Sequence, residues 1–185
     1  MQATTSLAEE LVGTILVRND GETLLTGRIV ETEAYLARND AASHSFRGKT
    51  PRNEAMFGEA GTLYVYQIYG IHLCINIVSE SAGTGAAVLL RAIEPLLGIE
   101  EMRGRRGVGD IRALCNGPGN LTKAFGFALD DNFLSCSSPS CFLLPRATPV
   151  SVGISARVGI TKDAALPLRF FEKGSRFVSK GKPSV

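Results

Sequence analysis

The chain is poor in the residues that build metal centres and covalent frameworks. Its 185 residues include only four cysteines and two histidines. No two of Cys74, Cys115, Cys136 and Cys141 stand at Cys-x-x-Cys spacing, and only His44 and His72 could assist, so no structural zinc site is expected. No apolar run reaches the roughly 18 residues of a membrane-crossing helix, and no signal peptide is read at the start. The four thiols are therefore expected to be reduced and intracellular, with Cys136 and Cys141, in a Ser/Pro-rich stretch, the one pair placed to oxidise. A strong charge of one sign is missing too: the formal net charge is +2, which by itself announces no polyanionic partner. There is no internal repeat. Arg47-Gly48-Lys49-Thr50 imitates the end of a phosphate-binding P-loop, but Ser43 stands where the first glycine is needed and no strand immediately precedes it. Gly107 and Gly109 lack the third glycine of a dinucleotide fingerprint. ATPase and Rossmann readings fall away.

What is present describes an ordinary globular protein. Hydrophobic residues make up 44% and charged residues 21%, enough apolar content to close a core, and the length favours a single domain, residues 1–185. Charge is unevenly spread. Up to Met102 there are 7 Lys/Arg against 13 Asp/Glu, and from Arg103 onward 13 against 5, so the two parts carry −6 and +8. Such asymmetry fits a molecule with one face turned toward phosphates; a solvated basic tail would produce part of it as well.

Periodicity gives a coarse order of elements. Residues 6–11 begin with Ser6 and carry Glu9 three positions on, the arrangement of a capping box before a short helix that buries Leu7, Leu11 and Val12. Residues 14–18 and 24–33 read as strands joined by the turn Asn19-Asp20-Gly21, with Gly27 inside the second. Residues 38–57 lack periodicity and hold Arg38, Arg47, Lys49 and Arg52 among Gly, Ser, Asn and Pro, the pattern of a long functional surface loop. Residues 62–68 and 73–78 form a second hairpin around Tyr69-Gly70, followed by a strand over 86–93. A short helix is predicted over 96–103, a mobile stretch over 104–109, and a helix over 121–127 behind Asn116-Gly117-Pro118-Gly119-Asn120. Residues 135–149 look like loop, and 150–160 and 168–171 like closing strands. Strands outnumber helices and follow one another directly. The expected class is α+β, with a curved, mostly antiparallel sheet and surrounding helices.

Two features carry chemistry. In Val30-Glu31-Thr32-Glu33-Ala34-Tyr35 the two carboxylates share one face of a strand, where they are either a solvated strand end or employed in a site. Tyr64, Tyr66 and Tyr69 fall within six positions and, with Tyr35, put all four tyrosines in two short segments. Tyr64 and Tyr66 line one strand face, a core surface in one reading and a base-stacking platform in the other. Adjacency to the basic loop favours the platform, because stacking plus phosphate contact is what nucleic acids require.

The runs Val30 to Tyr35, Asp40-Ala41-Ala42-Ser43-His44-Ser45, Arg47-Gly48-Lys49-Thr50-Pro51-Arg52-Asn53, Met56-Phe57, Gly61-Thr62-Leu63-Tyr64-Val65-Tyr66, Tyr69-Gly70, Cys74-Ile75-Asn76, Val88-Leu89-Leu90-Arg91-Ala92, Gly117-Pro118-Gly119 and Arg157-Val158-Gly159 closely resemble the alkyladenine (3-methyladenine) DNA glycosylase family. Each run alone is weak; the ordered set is specific. The resemblance implies a monofunctional enzyme of base-excision repair that flips a damaged purine out of duplex DNA and hydrolyses its N-glycosidic bond. The class covers 3-methyladenine and 7-methylguanine and extends to hypoxanthine or etheno-adenine.

By that resemblance Glu33 is the base that activates water, Arg91 and the backbone carbonyl of Val158 complete the cradle of that water, and Glu31 plays a supporting part. Tyr66 on one side, with Tyr35 and His44 on the other, resemble the sandwich around the extruded base, and the His44 backbone N–H would read its edge. Asn76 resembles the pocket residue that disfavours the amino group of guanine. Tyr69 resembles the residue that fills the gap left by the flipped nucleotide. Arg47, Arg52 and the Gly117-Pro118-Gly119 turn, through Gly117 and Gly119, are candidates for DNA contact. His72 departs from the pattern, since some relatives place an aromatic there, and is given no catalytic role. The implied partner is double-stranded DNA bearing damaged purines, bound by a monomer with no metal, cofactor or membrane, in the cytoplasm or nucleoid, or the nucleus of a eukaryote. Two other classes stay open: a non-catalytic damage-binding module on the same fold, and a small-molecule hydrolase or transferase on a related scaffold.

Overall fold

The computed structural model describes residues 4–179. Its first helix, α1 (Thr4–Leu11), starts earlier than expected, so Ser6 lies inside the helix and cannot cap it. Ala8, Leu11 and Val12 are buried by α1 and its exit, and Leu7 packs against the same core. The hairpin β1 (Ile15–Asn19) and β2 (Leu24–Tyr35) follows. Its turn is closed by the Asp20 carboxylate, which accepts the N–H groups of Glu22 and Thr23.

The long loop folds into two single 3-10 turns, His44–Arg47 and Glu54–Phe57. It is less superficial than its composition implied: Asp40, Ser43, Ser45, Asn53, Ala55 and Met56 are buried. Side-chain bonds make this possible by replacing water as partner of the backbone. Asn53 donates to the carbonyls of both His44 and Gly48 and accepts from Thr50 N–H.

β3 (Leu63–Ile68) and β4 (His72–Val78) form the second hairpin, and β5 (Ala87–Leu97) runs on through Leu96 and Leu97, which were expected to be helical. Gly98, at φ 76°, makes the corner into α2 (Ile99–Arg106), so residues 104–106, expected to be mobile, are its last turn. Ion pairs of Arg103 with Glu100 and of Arg105 with Glu101 and Asp20 support that turn. α3 (Ile111–Leu114) had no periodic signal, and α4 (Pro118–Phe125) begins on its proline, suited to a first helical position. Residues read as loop contain the hairpin β6 (Ser137–Ser138) and β7 (Cys141–Leu144), whose second strand pairs with β1. Of the strand predicted over 150–160 only β8 (Val152–Ser155) forms, and β9 (Arg169–Glu172) closes the sheet.

The sheet is antiparallel throughout, in the order β3-β4-β5-β2-β1-β7-β6, with β9 joining β2 beyond β1 and carrying β8. Its architecture is α+β, with α1 packed on β2, α4 on β4 and β5, and α2 on α4. One face builds the main core, from Leu16, Leu25, Ile29, Ile75, Leu90 and Phe125 among others. The other face carries a smaller aromatic cluster of Tyr64, Met56, Tyr35 and Tyr66. Among the described residues no helix is long and apolar enough to cross a membrane.

Two adjacent irregularities decide what reaches that second face. Ile29 pairs with Ile93 and Glu31 with Ala92, so Val30 is an extra residue in β2; Thr32 then pairs with Leu90, so Arg91 is an extra residue in β5. A one-residue bulge exchanges the faces of everything beyond it. Leu25 and Ile29 face the main core before the bulge and Ala34 after it; on β5 the switch is from Ile93 to Leu90 and Val88. Glu31, Glu33 and Tyr35 therefore leave the main core and meet Arg91.

Candidate active site

Glu33 lies in β2 with no exposed surface. The Val158 N–H donates to its Oε1 at 2.7 Å, the Tyr35 hydroxyl to its Oε2 at 3.1 Å, and Arg91 Nε stands 3.6 Å from Oε1. Burial raises its pKa above the ordinary carboxylate value; Arg91, the Val158 N–H and the Tyr35 hydroxyl oppose the rise, and Glu31 adds to it. The result is a desolvated carboxylate kept ready to take a proton.

Arg91 is held by other groups. Its Nε donates to Ser179 Oγ at 3.1 Å and lies 3.2 Å from Glu31 Oε1. Glu31 is saturated: Arg169 Nε and Ser179 Oγ donate to Oε1, and Ser179 N–H to Oε2. The two carboxylates do point to one side of β2, and neither is a solvated strand end.

Glu33 does not line a cavity itself, but Tyr35, bonded to it, is in the lining of one with Ala42, His44, Met56, Tyr64, Tyr66 and Asn76. Its free volume is about 20 Å³, room for one water molecule. The β3–β4 register sets Tyr64 opposite Asn76 and Tyr66 opposite Cys74, which gathers these side chains on one face. Asn76 donates to the Tyr64 carbonyl at 3.1 Å, and the Tyr64 hydroxyl shares a 2.8 Å hydrogen bond with His44 Nδ1. Burial, with Arg52 nearby, lowers the His44 pKa and so favours the neutral ring.

Without a base between them, the rings expected on its two sides are in contact. His44 and Tyr66 meet edge to face with centroids 4.5 Å apart, whereas a base between two rings needs about 7 Å, one contact distance on each side. These rings are neighbours in one wall, continued by Tyr64 stacked on Tyr66 at 5.1 Å. Tyr35 lines the same cavity, and one of its faces is covered by the Arg157 guanidinium at 4.5 Å.

At the mouth, Tyr69 occupies the tip of the β3–β4 hairpin with 87% of its surface exposed. Tyr69 and Gly70 both have positive φ, 50° and 72°, in the three-residue loop that joins the paired Ile68 and His72. A hollow joins Arg52, Tyr66 and Tyr69, and Arg52 is tethered by its bond to the Gln67 carbonyl. Arg47, Arg52 and Lys162 line a groove of about 570 Å³ on the other side of His44. Gly117 and Gly119 form a third hollow with Tyr69 and His72.

The whole pattern has a counterpart among known proteins. The family model for methylpurine-DNA glycosylase matches residues 1–176. This chain belongs to that family. It is 48% identical to a protein of Methanoculleus marisnigri over 96% of this chain and 94% of that protein. It is 50% identical to one of Chlorobaculum parvum over 95% and 86%, and 47% identical to one of Bradyrhizobium diazoefficiens over 96% and 86%. All three carry the name "Putative 3-methyladenine DNA glycosylase".

Several residues that build this glycosylase-family site escaped the sequence reading. Arg157 and Asp40, both wholly buried, form a two-pronged ion pair at 2.6 and 2.8 Å, and Arg157 also donates to the Ala34 carbonyl. That pair ties Tyr35, the loop carrying His44 and the segment carrying Val158 to one another. Asp40 and Arg157 lie inside family-like runs, which was the available signal; Arg169 and Ser179 carried none.

Proposed function

We propose that this family member hydrolyses the N-glycosidic bond of a damaged purine nucleotide turned out of double-stranded DNA, with Glu33 as the base that activates water. The observation that carries the reading is a buried carboxylate, its pKa raised, joined through the Tyr35 hydroxyl to a tyrosine-lined cavity. In the reaction the water oxygen bonds to C1′, the bond from C1′ to the purine nitrogen breaks with its electron pair leaving on the base, and the water proton passes to Glu33. The ionised carboxylate also stabilises positive charge developing on the sugar. Arg91 and the Val158 carbonyl complete the water site. Water is the only co-reactant, and no cofactor is required.

A cationic purine such as 3-methyladenine suits this pocket, because electron-rich rings attract it and its leaving group is already activated. Tyr35 then faces the wall of His44 and Tyr66 across the base. The cavity holds far less than a purine, so residues 41–47 must draw back on entry, a lid motion of the usual kind. Tyr69 fills the gap left in the stack, Asn76 rejects the guanine amino group, and Arg47, Arg52, Gly117 and Gly119 meet the backbone. The protein acts as a monomer wherever the cell keeps its DNA.

A pure binding module has no use for an acidic group facing a polyanion, where it costs affinity. Direct measurement of free base released from alkylated duplex, with enzyme in excess, tests the proposal. Release of 3-methyladenine supports hydrolysis; tight binding to lesion duplex with no release from any lesion leaves a binder.

A further inference from the structure

On the sheet face opposite the main core two carboxylates, Glu31 and Glu33, meet two guanidiniums, Arg91 and Arg169. Only two of these four, Glu33 and Arg91, figure in the proposed chemistry. Arg169 is paired across β9 and β2 with Glu33, yet its side chain runs diagonally to Glu31, with Nε 2.5 Å from Oε1. Two further contacts fix it there, a bond to Ser155 Oγ at 3.1 Å and the Phe171 ring 4.8 Å beneath the guanidinium. Arg91 stands between the acids, 3.2 Å from Glu31 and 3.6 Å from Glu33.

We infer that Arg169 is a positioning residue of the site: by taking up the Glu31 carboxylate it leaves Arg91 available to Glu33. The inference rests on Glu33 being the base. With Arg169 present, two cations face two anions, and Glu33 keeps a share of Arg91. Without it, two anions compete for one cation that already lies nearer Glu31, and the charge on Glu33 is held less readily. Other groups around Glu33 stay fixed in this exchange: the Tyr35 hydroxyl on β2, the Val158 N–H, and Arg157 balanced by Asp40. So do the Tyr66 hydroxyl on β3 and the Cys74 thiol on β4, the latter pushed up to about 11 by burial.

The test is the acid limb of base release under single turnover, in variants that move charge in opposite directions. Arg169→Met should shift the limb up by about one pH unit, the lower end of what a lost neighbouring charge produces. Arg169→Lys should restore most of it. Glu31→Gln, which leaves both guanidiniums facing Glu33 alone, should shift the limb down. The double variant Glu31→Gln/Arg169→Met should return near the wild-type position. A uniform loss of rate with an unmoved limb in these variants, or a double variant that stays shifted, overturns the inference and leaves Arg169 a strut. Should Arg169→Met fail to fold, the Glu31→Gln limb decides, since an unmoved limb there contradicts charge sharing. Carbon NMR titration of the Glu33 carboxyl in the free protein, identified by its loss in Glu33→Gln, reads the same shifts without turnover. If Glu33→Gln still releases base, the assignment of the base fails, while this titration still tests Arg169.

Discussion

At the scale of the residue, Glu33 is tuned by two opposed effects. Burial drives its pKa up, and Arg91, the Val158 N–H and Tyr35 pull it back, with burial prevailing. For a base the sign is direct: the group works when ionised, so base release should fall as pH drops through a pKa above the usual carboxylate value of 4.5. Rate against pH under single turnover should show that elevated acid limb, and a rate flat through the weakly acidic range would show that Glu33 does not titrate in the reaction. The stability sign is opposite. A carboxyl whose folded pKa is raised stabilises the fold below its unfolded pKa, and that contribution is lost as pH rises through the folded value. The site thus holds a group at some cost to the fold. The strand carrying Glu33 was legible in its apolar, tyrosine-flanked run, but its two acids allowed a solvated end as well as a site, and only the family resemblance singled out Glu33. The pairing of Arg157 with Asp40 was not legible, because they lie 117 positions apart and only the folded chain brings them together.

At the scale of the element, the decisive devices are the bulges at Val30 and Arg91. Alternation correctly put Glu31 and Glu33 on one face, but it could not say which face, since a bulge changes parity without leaving a mark in composition. The hairpin of Tyr69 and the β3–β4 pairing were legible, because alternating apolar and aromatic residues flank a turn dipeptide. The β6–β7 hairpin was not, since its Ser/Pro-rich stretch reads as loop and its second strand is stabilised by pairing with β1. The Asp40–Arg157 pair is the joint between these elements. Removing one partner of a wholly buried ion pair costs about 3–5 kcal/mol. Asp40→Ala should therefore lose about that much in urea unfolding, and should also weaken base release by freeing Tyr35 and the His44 loop. A loss under about 1 kcal/mol would show that the joint bears little load.

At the scale of the whole molecule, the α+β class was legible from the order of strands, while the split in charge found a structural outlet. Two of the carboxylates in the acidic part, Glu31 and Glu33, are turned inside the sheet, and Arg47, Arg52 and Lys162 line a groove beside the cavity mouth. Each phosphate contact releases about one counterion. Arg52→Ala should therefore weaken binding to duplexes of any sequence and reduce the slope of log affinity against log salt by about 1. An unchanged slope would place Arg52 away from the backbone. The mechanism proposed above turns on one event, the attack of a water molecule activated by Glu33. The most direct test is Glu33→Gln in single-turnover release of 3-methyladenine from alkylated duplex, with binding to the same duplex measured in parallel. The mechanism predicts release lower by about 10² to 10⁴-fold with affinity retained; release at the wild-type rate would contradict it.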